Sequence, residues 1–263
     1  MTSVTEMTEE QIVEHAARVR RIGYTVLERQ LPVDAVATIA AAFEPIYQDH
    51  LEEIRTKPNR GPMRHYIQLP FEPPFYQSSI HGNDGIIAII RRLIGDDAEM
   101  VQFATDTPTQ GSIFQDWHGD VPALFPEEPE HVPPPAIITV NFAMVDVNEE
   151  NGPVEMADGT HLLPRPEALE RVEKGEMPLR KLLLKVGDVL VRDPRCVHRG
   201  TPNTTDTPRP VAVFSFERAW YRLISLNHYN PVQRDFYETL SELEQQVLKR
   251  IVEGESSSIS AGS

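Results

Sequence analysis

Apolar residues recur at helical spacing toward both ends of the chain and fall into short, strand-like runs between them. Ile12, Ala16, Val19 and Ile22 share one helix face. Thr8 and Gln11 form a capping box ahead of them, and Gly23 suits the left-handed position that closes a helix. Tyr24-Thr25-Val26-Leu27 reads as a short strand. A second helix is predicted from Pro32 to about Arg55, with Val33, Val36, Ile39, Phe43 and Ile46 on one side. Pro45 should kink or break it. Residues 57–79 are Pro-rich and read as irregular, and a third helix runs near Asp84 to Leu93 and stops at Gly95. The pattern then changes. Met100–Ala104, Ala136–Val145, Leu182–Val186, Val189–Arg192 and Pro210–Phe216 are short, rich in β-branched or apolar residues, and mostly bounded by turn formers. A helical insert is expected over 165–175. Phe236, Leu240, Leu243, Val247 and Ile251 predict a closing helix near Val232 to Val252. The Ser-rich stretch 255–263 reads as a disordered tail.

Helices, a block of strands and a final helix, with no repeat of fixed period, predict a mainly β fold with flanking helices. A jelly roll fits strands of this length and can hold a ligand in its mouth. One domain over residues 1–254 is expected: a helical N-terminal part, a strand core at about 98–218, and a C-terminal helix.

Composition narrows the partners. The chain has 263 residues, 40% of them hydrophobic, enough for a sizeable core. Its formal charge of −15, with 40 acidic against 25 basic residues, disfavours nucleic acid and anionic membranes. The short basic cluster Arg18-Val19-Arg20-Arg21 reads as a solvated helix face. Cys196 is the only cysteine, so no intrachain disulfide can form, which fits a reducing cytosol. No apolar run reaches membrane-spanning length and no signal peptide is visible. The expectation is a soluble cytoplasmic protein, monomer or homodimer, acting on a small molecule.

The candidate chemistry centres on Gln115-Asp116-Trp117-His118-Gly119-Asp120. Residues i and i+2 of an extended segment point to one side, so His118 and Asp120 can present an imidazole and a carboxylate together. His198, downstream of the turn Gly187-Asp188 and the strand after it, can supply a third ligand. Two histidines and one carboxylate with open positions suit non-haem Fe(II) in oxygen chemistry. Arg209 follows, after a turn, at the head of the Val211-Ala212-Val213-Phe214 strand. A guanidinium fork near a metal matches a carboxylate, and a 2-oxo acid with a distal carboxylate, 2-oxoglutarate, would span metal and arginine.

On these pieces the sequence resembles the phytanoyl-CoA dioxygenase family of Fe(II)/2-oxoglutarate oxygenases. The matching residues are Gln115-x-x-His118-x-Asp120, Asn151-Gly152-Pro153, Gly159-Thr160-His161, Gly187-Asp188, His198 and Arg209, in order over roughly residues 64 to 217. The resemblance implies a double-stranded β-helix with helices packed outside it. It implies Fe(II), 2-oxoglutarate and O2 as cofactor and cosubstrates, with His118, Asp120 and His198 as iron ligands and Arg209 pairing with 2-oxoglutarate. It also implies Gln115 and Arg64 as further cosubstrate contacts. Two residues depart from the family pattern: Asp158 stands where proline is common, and Val154 where some members carry a threonine.

Hydroxylation of a small natural-product intermediate is the expected reaction, with an acyl or amino-acid substrate as the alternative. A halogenase would lack the carboxylate that Asp120 provides. A zinc hydrolase would leave Arg209 unused and lacks an H-E-x-x-H motif. A non-catalytic jelly roll would not need an intact triad. Cys196 reads as a buried core thiol, and His161 and His131 as turn or loop residues. His65 is expected at the substrate entrance, Trp117 in packing, and the stretch Tyr66 to Phe75 at the rim of the pocket.

Overall fold

The computed structural model describes residues 6–221 and 231–253. Helix α1 (Glu9–Ile22) opens on the expected capping box, and Gly23 closes it at φ 95°. That conformation favours glycine, and a Cβ there would lie 2.6 Å from Cys196 Sγ. Strand β1 (Tyr24–Leu27) follows. The long second helix is two: α2 (Val33–Asp49) and α3 (Leu51–Thr56). Pro45 sits inside α2, and the break falls at His50, whose N–H is shared between the carbonyls of Ile46 and Tyr47.

The stretch read as irregular contains strand β2 (Arg64–Gln68) and a short helix α4 (Ser78–His81). Helix α5 (Asp84–Ile94) is capped by Asn83. The remaining strands are β3 (Glu99–Pro108), β4 (Ile137–Ala143), β5 (Val154–Ala157), β6 (Leu179–Leu182), β7 (Val189–Arg192), β8 (His198–Gly200) and β9 (Val211–Glu217). Helix α6 (Arg165–Glu173) lies between β5 and β6, where the helical insert is expected.

The predicted strand at 182–186 is displaced. β6 ends at Leu182, and the chain then turns at Gly187, where Asp188 accepts from the amides of Arg29 and Lys185. Leu179, Arg180 and Lys181 are exposed, so β6 lacks the apolar pattern of a core strand. The predicted closing helix also divides, into α7 (Arg234–Tyr237) and α8 (Glu242–Leu248). Ser241 and Glu244 form a capping box that starts a new helix inside the apolar run. The tail 255–263 lies outside the described residues.

Among the described residues, these strands form two antiparallel sheets. The larger has six strands in the order β1-β7-β4-β9-β3-β2, and the smaller has three, β6-β5-β8. Alternate residues of the large sheet divide between its faces. Ile138, Val140, Phe142, Phe214 and Phe216 pack with apolar residues of α1, α2 and α5 in one core. Thr139, Asn141, Leu190, Arg192 and Val213 face a cavity. The central strands are therefore buried on both sides, and read as continuous apolar runs. This is a double-stranded β-helix with helices packed on one side. Among the described residues, no helix is long and apolar enough to cross a membrane.

Candidate active site

The triad is built by one backbone contact. His118 does not lie in a regular strand. It forms an isolated antiparallel bridge with His198, exchanging N–H···O bonds of 3.0 and 2.9 Å. That pairing sets the two imidazole centroids 4.5 Å apart. The Asp120 amide then donates to Pro194 O at 2.8 Å, which turns its carboxylate back toward both rings. Gly119 permits this approach, since a Cβ there would lie 3.1 Å from Arg195 O. Arg165, at the start of α6, donates to the carbonyls of Gly119 and Val121 and clamps the loop from outside. One ligand atom from each of His118, Asp120 and His198 falls within 4.8 Å of the others.

The protonation states fit a divalent metal. His118 Nδ1 lies 2.7 Å from Asp116 O, and His198 Nδ1 lies 2.9 Å from Cys196 O. A carbonyl only accepts, so each Nδ1 carries a proton and each Nε2 is the ring nitrogen turned toward the metal site. Burial, with the neighbouring His198, holds the His118 pKa below the usual range, so the ring stays neutral near pH 7. Burial works against ionisation of Asp120. The Arg192 guanidinium, 2.7 Å from Asp120 Oδ2, is the largest opposing influence, and the pKa stays well below the usual carboxylate range. Two imidazole nitrogens and one ionised carboxylate form a facial set suited to Fe(II).

The triad borders a cavity of about 470 Å³ between the sheets. Val147, Val154, Leu182, Leu184, Leu190 and Val211 line part of it. Arg209 and Arg64 both reach it and are 3% and 1% exposed. Asp106 lies between them, 2.8 Å from Arg64 Nη1 and 3.7 Å from Arg209 Nη2. The remaining bonds differ. Arg64 Nη2 is spent on Thr201 O at 2.8 Å, and Arg209 Nη2 donates to Gly152 O at 2.6 Å. Arg209 Nε is buried without a hydrogen-bond partner. Burial lowers the Arg209 pKa to about 10, with Asp106 opposing and Arg64 adding to the effect, so it stays protonated at neutral pH.

The family model of phytanoyl-CoA dioxygenase matches residues 19–211, which include the whole triad and Arg209. The chain belongs to the phytanoyl-CoA dioxygenase family. With its triad intact, it is a non-haem Fe(II)/2-oxoglutarate-dependent oxidoreductase. Three solved structures share the fold. The non-heme alpha ketoglutarate dependent carbocyclase SnoK from nogalamycin biosynthesis is 21% identical, with a TM-score of 0.65 over 83% of this chain and 87% of that one. The epimerase SnoN from the same biosynthesis is 23% identical, with a TM-score of 0.61 over 81% and 84%. EctD from S. alaskensis is 20% identical, with a TM-score of 0.65 over 93% and 89%.

Other expected residues of this family member fall in and around the cavity. Gln115 lines it, but its side-chain amide is used at both ends: Oε1 accepts from the Gly200 amide at 2.9 Å and Nε2 donates to Arg60 O at 3.0 Å. Val154 borders the cavity. Asp158 does not; it accepts from Tyr24 Oη and Arg180 Nε. Cys196 turns its thiol to Ala157 O and away from the triad. His161 sits in a turn and contacts Arg20 O through Nε2. Trp117 packs on the Arg199 guanidinium, 4.2 Å from its ring centre. His65 is buried beside His50 and Asn59 and does not line the cavity. His131 lies in a loop against Phe125. The expected aromatic rim is also corrected: Tyr66 borders the cavity, but Leu69, Phe71 and Phe75 pack in the main core. Sequence reading overlooked Arg192, Asp106 and Arg165. None lies in a motif, and each gains its role from a partner distant in the chain.

Proposed function

We propose that the protein uses 2-oxoglutarate and O2 to hydroxylate a C–H bond of a small natural-product intermediate. The observation that carries this reading is the joining of the triad and the buried Arg209 in one cavity. His118, Asp120 and His198 are assigned as the iron ligands. Arg209, with an unused Nε, is assigned to the distal carboxylate of 2-oxoglutarate. Arg64 is assigned to the same end of the cosubstrate site, where it neutralises Asp106 and keeps Arg209 available. Gln115 pins the segment ahead of His118 to Gly200 and Arg60. We assign all of this to one domain spanning residues 1–254.

When bound, the metal supplies O2 activation coupled to decarboxylation of 2-oxoglutarate. The chain's own residues hold the geometry for it. Asp116 and Cys196 carbonyls fix the imidazole tautomers, and Arg192 keeps Asp120 ionised. Two similar structures belong to nogalamycin biosynthesis, which supports a natural-product substrate, and they are an epimerase and a carbocyclase. Epimerisation or ring closure is therefore the second reading of the outcome.

Anaerobic addition of Fe(II) and 2-oxoglutarate should give a visible charge-transfer band, and admission of O2 should release succinate. Product mass then separates the readings: hydroxylation adds one oxygen atom, ring closure removes two hydrogens, and epimerisation changes nothing. Wild-type protein that forms neither band nor succinate would sink the proposal.

A further inference from the structure

The far end of the cavity from Arg209 carries a polar row that the cosubstrate reading leaves unused. Arg192 on β7 faces Thr139 on β4, Thr139 faces Ser215 on β9, and Ser215 faces Gln102 on β3. The row is hydrogen-bonded within itself: Gln102 Nε2 donates to Ser215 Oγ at 2.8 Å, and Ser215 Oγ lies 3.1 Å from Thr139 Oγ1. Gln102, Thr139 and Arg192 line the cavity. Gln102, Ser215 and Thr139 thus satisfy one another, which leaves Arg192 at the end of the row.

Arg192 is the least satisfied member. Its side chain is 10% exposed, and Nε donates to Asn141 Oδ1 at 3.1 Å. Nη1 is buried and lies 2.7 Å from Asp120 Oδ2 without making a hydrogen bond. Asp120 must also serve the metal, so it does not exhaust the guanidinium. Distance separates this row from the cosubstrate anchor: Ser215 lies six residues beyond Arg209, roughly 20 Å of extended chain. A cosubstrate joining the metal to Arg209 leaves the row uncovered on the other side of Asp120.

Charge points the same way. Arg60, Arg64, Arg192 and Arg209 line the cavity against Asp106 and Asp120. A divalent metal and a dianionic cosubstrate cancel each other, so two positive charges remain. The chain as a whole carries −15. A positive cavity in an acidic protein selects an anion.

We propose that the substrate is a small carboxylate, held by a pair between its carboxylate and Arg192, with Thr139 and Gln102 meeting its further oxygens. This rests on the Fe(II)/2-oxoglutarate reading of the site. The test is calorimetry on the anaerobic protein saturated with Fe(II) and 2-oxoglutarate. The probes are paired acids and amides: hexanoate with hexanamide, and 3-phenylpropanoate with 3-phenylpropanamide. The charge-transfer band is recorded in parallel. Each acid should bind at least about tenfold tighter than its amide, the effect of one charged hydrogen-bonding pair. Arg192→Gln should abolish that preference, read in protein that still shows the charge-transfer band, with a smaller shift of the 2-oxoglutarate midpoint than Arg209→Ala gives. Arg192→Lys should keep part of the preference, and it decides the matter together with the wild-type ratio if the glutamine variant loses iron. Arg209→Ala, at raised 2-oxoglutarate, should leave the preference intact. Acid and amide binding alike in the wild type, or not at all, would overturn the proposal. So would a preference that survives Arg192→Gln, or a cosubstrate midpoint that moves as far as in Arg209→Ala. Failure of the underlying reading looks different, since the wild type would then show no band.

Discussion

Replacing Arg209 by lysine keeps the charge and removes the fork. The structure indicates that the fold should tolerate the change. Asp106, the carboxylate beside Arg209 among the described residues, is held at 2.8 Å by Arg64 and stands 3.7 Å from Arg209, so it keeps its partner. The bond from Nη2 to Gly152 O is lost, a local cost of about 1 kcal/mol. The effect on 2-oxoglutarate should be larger. Each hydrogen bond to a charged group contributes roughly 1.5–3 kcal/mol, and about 1.4 kcal/mol is tenfold in binding. Losing one arm of a bidentate pair should weaken 2-oxoglutarate roughly tenfold to a hundredfold. Arg209→Ala should do worse, because the distal carboxylate would then be buried unpaired. A 2-oxo acid that is shorter or lacks the distal charge should partly rescue the alanine variant. Iron affinity should stay the same, since Arg209 is not a ligand. The assay is a titration of 2-oxoglutarate against the charge-transfer band of the anaerobic iron protein. An unchanged midpoint in both variants would refute the assignment and turn attention to Arg64.

His118→Ala and His198→Ala should each abolish iron binding and turnover with the circular dichroism of the fold retained; a variant with wild-type turnover would remove that residue from the ligand set. Asp120→Gly should lose hydroxylation and free Arg192 from its ion pair, and tests of chloride transfer would show whether halide enters the opened position. Gly200→Ala should destabilise the protein by about 1–3 kcal/mol, read as a lowered urea midpoint, because a Cβ there would lie 2.6 Å from Arg64 Nη2. His81 is 1% exposed among Phe71, Tyr76, Phe103 and Phe214, and burial, only partly offset by Gln77 and Glu244, lowers its pKa to about 4. The unfolded chain therefore binds the proton first as pH falls below about 6.5, and stability should drop by about 2 kcal/mol by pH 5, in urea titrations that flatten for His81→Phe.

The parts of this protein legible in its sequence are those whose partners lie close along the chain. Helix α1 announces itself through Thr8, Gln11 and Gly23, and the His118–Asp120 pair through its spacing. His198 and Arg209 are legible as an ordered continuation of that pair. The misread elements each carry a competing local signal. In the last helical stretch the apolar period masked the capping box at Ser241, and β6 reads as polar because Leu179 to Lys181 form an exposed edge. Gln115 illustrates a different limit. Its position before His118 is visible, but its use depends on Gly200 and Arg60, which only the fold brings to it. Arg192 lies further still from any local signal. It reaches Asp120 because β7 pairs with β4 so that Arg192 faces Thr139 and Leu190 faces Asn141. A slip of one residue in that pairing would turn Arg192 into the helix-packed layer and set Val191 against the metal ligand. The register is held by the layer beneath, where Val189 and Val191 bury themselves against the main core. The apolar pattern of β7 thus places a cation that the pattern itself does not reveal.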